Sequence, residues 1–266
     1  NLRGHPDRVP AYAALAQRGA VFKARMQRAG RVSVDVPYAS HARARLDVFR
    51  PQVARAILVF FHGGYWRALD KTLFCALAEA FVEQGLIVVM PGYPLAPDSP
   101  IPDIVKHARL ALGWVQANHD KDLPIVVSGH SAGAHLAAMT ALDDSCSNRI
   151  AGSILVSGLF DLDPLRFTNV NVEAKLDAST AAKMSPALLA HDSPRDALLL
   201  VGQDETDGFK AQTTTYAARL RRAGGRVIEL EPAGLNHFTI LAPIAQPGAE
   251  LHQQVSAFIN ECVKPA

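Results

Sequence analysis

The chain alternates between short, wholly apolar runs and longer stretches in which apolar residues recur every three or four positions. The uninterrupted runs are typical of parallel strands covered on both faces. The longer stretches carry a single apolar stripe and are typical of amphipathic helices. Strands are predicted at Ile57–Phe61, Leu86–Met90, Ile125–Val127, Ser153–Ser157, Ala197–Val201 and Arg226–Leu230, and helices at Pro10–Ala29, Lys71–Gln84, Pro102–Asn118, Ala134–Leu142, Phe209–Ala223 and Leu251–Cys262.

Two segments depart from this rhythm. Val32–Tyr38 and Ala44–Phe49 alternate apolar and polar residues at close spacing, which predicts an antiparallel hairpin at the edge of a sheet. Asp161–Asp196 is polar, interrupted by prolines and contains two short helical stretches, so we interpret it as an insertion or a connection on the cap side. The whole pattern predicts a single α/β domain over residues 1–266, a doubly wound, mostly parallel sheet with helices on both faces.

One strand-to-helix junction has the pattern of a catalytic nucleophile. Gly129-His130-Ser131-Ala132-Gly133 lies between an apolar run and an alanine-rich helical stretch, and G-x-S-x-G in that position is typical of a nucleophile elbow. Glycines fit because a side chain two residues before or after the serine would collide with the neighbouring strand or helix. The alternative is a capping serine in an ordinary turn. That reading explains Ser131 but not the partners that follow.

A serine hydroxyl needs a base to take its proton and a third group to orient that base. His237 lies in the loop between the last predicted strand and the final helix, where such a base belongs. The predicted strand Ala197–Val201 is followed by Asp204, Glu205 and Asp207. Counting from the end of that strand favours Glu205 as the acid, with Asp204 as the alternative. The chain order of Ser131, acid and His237 is that of α/β-hydrolases.

The segment His62-Gly63-Gly64-Tyr65-Trp66 directly follows a buried strand and can supply N–H donors to an oxyanion. We expect the amides of Gly64, Tyr65 and Ala132 to form the oxyanion hole, and His62 to order the loop by hydrogen bonding.

Aromatic residues near these strand ends are candidates for substrate binding. We expect Trp66 and Phe238 to line the pocket together with Tyr65, although aromatic residues at strand ends are often part of the core. The histidines at positions 62, 130 and 135 lack metal-ligand spacing such as H-E-x-x-H, so no metal or other cofactor is expected.

The composition narrows the functional classes. A net charge of +2, with arginines scattered between apolar positions, gives no indication of a nucleic-acid surface. Cys75, Cys146 and Cys262 have neither metal nor redox spacing, no signal peptide is visible and no apolar run reaches membrane-spanning length, so we expect a cytoplasmic protein without a membrane partner. Because the sequence begins at Asn1 rather than methionine, we also expect that a few residues before it are missing or have been removed.

Several motifs resemble the kynurenine formamidase (arylformamidase) branch of the α/β-hydrolases, near the hormone-sensitive-lipase-like esterases. The most specific is His62-Gly63-Gly64-Tyr65-Trp66, where related esterases usually carry H-G-G-G. The others are Tyr38 with Leu46-Asp47-Val48-Phe49, Tyr93-Pro94-Leu95-Ala96-Pro97, the segment Gly129 to Leu136, Ser157-Gly158-Leu159-Phe160-Asp161-Leu162, Met184-Ser185-Pro186 and Asn236-His237-Phe238.

The resemblance covers nearly the whole chain and implies an α/β-hydrolase fold with serine-dependent hydrolysis of a small aryl formamide or ester. Ser131 and His237 carry over directly, and the family's acid falls on Glu205, where aspartate is common in the animal enzymes. The N-terminal segment 1–30 and the Asp161–Asp196 connection would then roof the pocket.

Three functional hypotheses follow. The first is hydrolysis of N-formylkynurenine or a related aryl formamide through an acyl-enzyme. The second is a small-acyl carboxylesterase with the same triad, and the third is a non-catalytic ligand receptor on a hydrolase scaffold, which usually loses a triad member. Apolar residues of the edge hairpin and the last helix suit either a homodimer contact or core packing.

Overall fold

The computed structural model describes residues 4–142, 149–189 and 195–264. The helices are α1 (Arg8–Arg28), α2 (Cys75–Val82), α3 (Ile101–Asn118), α4 (Ala132–Ala141), α5 (Asn171–Ala174), α6 (Ala178–Lys183), α7 (Asp207–Arg222), α8 (Leu241–Ala245) and α9 (Glu250–Cys262). The strands are β1 (Val32–Pro37), β2 (Arg45–Phe49), β3 (Ala56–Phe61), β4 (Leu86–Pro91), β5 (Ile125–His130), β6 (Ile150–Val156), β7 (Asp196–Leu200) and β8 (Val227–Leu230). Single 3₁₀ turns lie at Lys71–Phe74, Asp163–Phe167 and Pro186–Leu188.

The strands form one sheet in the order β1-β2-β4-β3-β5-β6-β7-β8. β1 and β2 pair antiparallel at one edge, and β2 is antiparallel to β4. The remaining neighbours are parallel, for example β3 with β5 through Val59 and Val127. The predicted α/β-hydrolase fold, with its doubly wound sheet and N-terminal edge hairpin, is confirmed.

Alternate residues of each central strand enter opposite apolar layers, which explains the uninterrupted runs in the sequence. On β3, Ile57, Val59 and Phe61 pack in the layer that includes residues of α3, α4 and α7, whereas Leu58 and Phe60 pack in the layer that includes residues of α1, α2 and α9. Because both faces are covered, no position of these strands tolerates a solvated polar side chain. Each fully buried aliphatic or aromatic side chain contributes about 1.5–3 kcal/mol.

Apart from shifts at element ends, such as the start of β6 at Ile150 rather than Ser153, the structure differs from the predicted elements in three places. The segment predicted as one helix at Lys71–Gln84 begins as a 3₁₀ turn, because the Asp70 carboxylate accepts a hydrogen bond from the Thr72 N–H (3.1 Å) and caps that turn. Val21, an apolar residue within the predicted helix Pro10–Ala29, does not join the buried stripe of α1 and is 67% exposed. The short helix α8 was not predicted, since it spans a single turn and contains Pro243.

The apolar residues of the edge hairpin and the last helix, which suited either a homodimer contact or core packing, pack within the chain. Val255 and Phe258 of α9 and Leu46 and Val48 of β2 are buried in the two apolar layers, so core packing explains the apolar pattern.

A buried carboxylate fastens α1 to the sheet edge. Asp47 on β2 is fully buried, and its oxygens lie 2.6 Å from the Lys23 ammonium of α1 and 2.9 Å from that of Lys71. Its Oδ1 also accepts a hydrogen bond from the N–H of Asp35 on β1 (2.9 Å). The buried carboxylate of Asp47 is thus compensated by two ammonium groups and one backbone N–H, because a buried charge is stable only when it is paired and hydrogen-bonded.

Within residues 4–142, 149–189 and 195–264, no helix combines the length and the apolar character needed to cross a membrane. The same residues contain no cluster of three or more histidine, cysteine or acidic side chains placed to hold a metal ion. Cys75 and Cys262 are free thiols, and Cys146 lies outside the described residues.

Candidate active site

The nucleophile candidate lies on a strained turn at the carboxyl end of β5. Ser131 has φ +57° and ψ −120°, outside the regions that non-glycine residues favour, and its N–H donates to the Val156 carbonyl of β6 (2.8 Å). A Cβ on Gly129 would lie 2.2 Å from the Gly133 oxygen, and one on Gly133 would lie 2.0 Å from the Phe61 oxygen. Both glycines of the motif are therefore required by direct backbone contact.

A buried histidine–carboxylate pair lies beside this turn. His237 Nδ1 is 2.7 Å from Glu205 Oε2, and both side chains are almost completely buried. Because Nδ1 donates to the carboxylate, Nε2 is left as the acceptor, which is the tautomer that a general base requires. Asp204, the alternative acid, is exposed. The geometry therefore pairs His237 with Glu205.

Three residues to which the sequence assigned no role hold this pair in place. Ser157, just after β6, donates from Oγ to Glu205 Oε1 (2.5 Å), and the Gly202 N–H donates to the same oxygen (2.9 Å). The ring of Phe209 packs on His237 with centroids 4.5 Å apart. Ser157 has φ +51° and directly follows β6. It also begins one of the motifs that carry the family resemblance. Its position directly after a strand was the sequence signal that could have identified it as a site residue.

The loop after β3 presents backbone donors next to the serine. Gly64 has φ +115°, and a Cβ there would lie 2.1 Å from the Ala68 oxygen, so this position requires glycine. Tyr65 and Trp66 also have positive φ, +50° and +57°. Among the described residues, the N–H groups of Gly64, Tyr65 and Ala132 have no hydrogen-bond acceptor. Free N–H groups beside a serine at a helix N-terminus suit an oxyanion.

Ser131 and His237 open into one cavity of about 250 Å³. Its wall is formed by the start of α1, the loop after β3 and the loop that carries His237, with the lining residues Arg8, Tyr12, Gly64, Tyr65, Arg67, Ala68, Leu69, Ser131, His237 and Phe238. Phe238 and Tyr65 line it as expected. The prediction that Trp66 lines the pocket is wrong, because its side chain is fully buried in the core and its indole N–H donates to His135 Nδ1 (3.2 Å).

A second cavity of about 470 Å³ lies on the other side of Tyr65, which lines both. It lies between α7 and the connection after β6, and its wall includes Leu159, Leu165 and Phe209. Since Phe209 also packs on His237, this apolar space adjoins the catalytic groups.

The start of α1 covers the catalytic cavity. Asp7, which precedes the helix, accepts a hydrogen bond from Asn236 Nδ2 (2.7 Å), and the ring of Tyr12 lies edge-on to Phe238 at 5.6 Å. Asn236 and Phe238 flank His237, so the first turns of α1 are attached directly to the loop that carries the histidine.

Three other histidines near the site are buried and neutral. Burial lowers the pKa of His62 and of His135 to about 4, and lowers the pKa of His130 well below its usual range. His62 Nδ1 donates to the Gly63 carbonyl (2.8 Å) within the oxyanion loop, and His130 Nε2 donates to the His237 carbonyl (2.9 Å). These rings order the loops around the site and carry no charge near neutral pH.

The comparisons with known proteins agree with the fold. A family profile described as an alpha/beta hydrolase fold matches residues 58–241. The kynurenine formamidase of Danio rerio is 33% identical over 78% of this chain and 75% of that protein, and that of Salmo salar is 31% identical over 83% and 79%. A crystal structure from Silicibacter sp., described as a "putative thioesterase", superimposes with a TM-score of 0.85 at 30% identity, covering 95% of this chain and 94% of that one.

Proposed function

The chain belongs to the α/β-hydrolase family, in the branch that contains kynurenine formamidases, and on that premise we propose that it hydrolyses a small aryl formamide such as N-formylkynurenine. It is a hydrolase, and the proposal concerns its substrate and its mechanism. The contact between His237 Nδ1 and Glu205 Oε2 (2.7 Å) beside Ser131 is the observation that carries the mechanism. Identity to the two formamidases over most of both chains supports the substrate.

In the proposed reaction, Ser131 Oγ attacks the formyl carbon while His237 Nε2 takes the hydroxyl proton. The negative charge that develops on the formyl oxygen is held by the N–H groups of Gly64, Tyr65 and Ala132. Glu205 stabilises the imidazolium. His237 then returns the proton to the aryl amine, which leaves, and a formyl ester remains on Ser131. Water attacks this ester with His237 as the base, and formate is released.

We also propose that residues 1–266 act as one catalytic domain. The first turns of α1 and the connection after β6 contribute walls to the two adjoining cavities, which supports a shared role in covering the substrate.

The test is kcat/KM on N-formyl-L-kynurenine and on p-nitrophenyl acetate for the wild type, Ser131→Ala and the control Ser256→Ala on α9. We expect a value of about 10⁴ M⁻¹s⁻¹ or more on the formamide, the lower range for dedicated enzymes, lost in Ser131→Ala and retained in Ser256→Ala. Circular dichroism and a thermal melt establish that each variant is folded. Formamide hydrolysis that survives Ser131→Ala contradicts the mechanism.

A second candidate is an ester or thioester hydrolase that uses the same groups. The 30% identity to the Silicibacter protein over nearly the whole chain favours it. Turnover of p-nitrophenyl acetate or of a short acyl thioester without turnover of the formamide, again lost in Ser131→Ala, would select this candidate over the first.

A further inference from the structure

The catalytic cavity contains a positive charge that the described residues do not neutralise. Two arginines line it, Arg8 and Arg67. The guanidinium of Arg67 lies 2.9 Å from the Glu173 carboxylate, so its charge is matched. None of the other lining residues is acidic. Arg8 is the charge that remains.

Among the described residues, Arg8 has no carboxylate partner. Its Nε is buried and has no hydrogen-bond acceptor, which is costly for a charged group unless a ligand supplies the acceptor. The two nearby acids are engaged elsewhere, since Asp7 accepts from Asn236 Nδ2 and Glu205 accepts from His237. Arg8 is also the first residue of α1, where the helix dipole is positive and disfavours a cation.

The two phenols of the cavity do not supply the missing negative charge. Burial raises the pKa of Tyr65 to about 12 and raises the pKa of Tyr12 further still. Both side chains are therefore neutral across the physiological pH range. The arginine and the helix N-terminus together favour an anion in the cavity that also holds Ser131 and His237.

We propose that Arg8 is a specificity-determining residue that binds a carboxylate on the substrate, so that the enzyme prefers anionic aryl formamides. This inference rests on the proposed function and adds the recognition group to it. A formyl group is too small to carry a second functional group, so the carboxylate belongs to the aryl-amine portion that leaves. A guanidinium suits it because it donates two parallel hydrogen bonds to a carboxylate.

The test compares two substrates that differ only in charge, N-formyl-L-kynurenine and its α-carboxamide. The readout is the ratio of their kcat/KM values in the wild type, in Arg8→Gln, in Arg8→Lys and in the control Arg28→Gln. Arg28 lies in the exposed last turn of α1, so the control removes the same charge from the same helix away from the cavity.

We expect the wild type to prefer the carboxylate and Arg8→Gln to lower the ratio by about 10- to 100-fold, the range expected for losing a charge-assisted hydrogen bond. The change should appear chiefly in KM, since the contact is remote from the reacting carbon. Arg8→Lys should recover part of the ratio and Arg28→Gln should keep it. An unchanged ratio in Arg8→Gln overturns the proposal, as does an equal loss on both substrates, which would indicate a structural role.

A second substrate pair separates this inference from the proposed function. The aryl esters 3-(4-acetoxyphenyl)propanoate and 3-(4-acetoxyphenyl)propanamide also place the charge on the leaving group. If formamides are not hydrolysed but the ester ratio falls in Arg8→Gln, the proposed function fails and the role of Arg8 stands. If formamides are hydrolysed without preference for the carboxylate, the role of Arg8 fails alone.

Discussion

At the scale of single residues, two adjacent acids differ completely in environment. Glu205 has a buried carboxylate that accepts from Ser157, Gly202 and His237, whereas Asp204 is exposed. We predict that Glu205→Gln lowers kcat by about 10²- to 10⁴-fold, because a neutral amide neither fixes the tautomer of His237 nor stabilises its charged form. The matched change Asp204→Asn should leave kcat within about twofold. Steady-state kinetics on the better substrate measure both, and a large loss in Asp204→Asn would reverse the assignment.

The glycines offer a second comparison between residues of one type. Gly133 has no room for a Cβ, which would lie 2.0 Å from a backbone oxygen, whereas a Cβ on Gly113 of α3 would meet no atom within 4 Å. We predict that Gly133→Ala destabilises the fold by more than 3 kcal/mol or prevents folding. Gly113→Ala should stabilise it by about 0.5–1 kcal/mol, since a helix interior favours alanine. Urea denaturation measures both changes, and a stable, active Gly133→Ala variant would contradict the required contact.

Residue patterns predicted the chemistry better than they predicted side-chain directions. Ser131 and the glycines around it could be predicted because backbone contacts leave few alternatives at such a turn. The prediction for Trp66 was wrong because the alternation of side chains along a strand does not continue into a loop with positive φ, so no local pattern indicates which way the indole points. The role of Ser157 depends on a contact with Glu205, 48 residues away in the chain, which a local pattern cannot reveal.

At the scale of elements, one histidine joins three segments. His135 on α4 accepts from Trp66 in the loop after β3 and donates from Nε2 to the Met184 carbonyl (2.8 Å) in the connection after β6. Acceptance at Nδ1 requires the neutral ring, and burial lowers the pKa of His135 to about 4, from about 6.5 in the unfolded chain. Between pH 4 and pH 6.5, His135 is therefore mostly protonated in the unfolded chain and mostly neutral in the folded one. The stability that His135 contributes is complete above pH 6.5 and declines as the pH falls through this window.

We predict that the wild type loses about 2 kcal/mol of unfolding free energy through His135 alone between pH 7.5 and pH 5. His135→Gln should be less stable at pH 7.5 but should lose less on acidification, because an amide can accept and donate without titrating. His107→Gln on α3 is the control, since the hydrogen bond that His107 makes among the described residues is to the Asp103 carbonyl of its own helix. Urea denaturation of the three proteins at both pH values gives the six free energies. An unchanged pH dependence in His135→Gln would show that the ring does not titrate in this range.

Element boundaries were predictable where burial is complete and unpredictable where it is not. The strands β3 and β4 match their apolar runs to within one residue because both faces are covered. The divided helix after β3 depends on a side-chain cap at Asp70, and the one-turn helix α8 depends on packing rather than on a periodic pattern. Short elements of this kind have too few residues for a period to be recognised.

At the scale of the whole molecule, α1 connects the sheet edge to the catalytic cavity. The helix has 21 residues and is therefore about 30 Å long. Lys23, towards its C-terminal end, pairs with Asp47 of β2, whereas its first turns contact the loop of His237 through Asp7 and Tyr12. The apolar stripe of α1 could be read from the sequence, but neither attachment could, because each joins residues distant in the chain. The two attachments are independent, so stability and substrate recognition should be separable.

Asp47→Asn tests this separation. The change removes the fully buried carboxylate beside Lys23 and Lys71, and leaves Lys71, which is 5% exposed, with the exposed Asp35 as its remaining acid among the described residues (2.7 Å). We therefore predict a loss of about 3 kcal/mol in unfolding free energy. Asp163→Asn, which removes an ion pair with Arg166 from an acid that is 51% exposed, should cost less than about 1 kcal/mol. At 25 °C, kcat/KM of folded Asp47→Asn should stay within about twofold of the wild type, because the contacts of Asp7 and Tyr12 still hold the first turns. A parallel loss of stability and of preference for the carboxylate substrate would instead mean that α1 moves as one rigid unit, and that its position over the cavity is set at the far edge of the sheet.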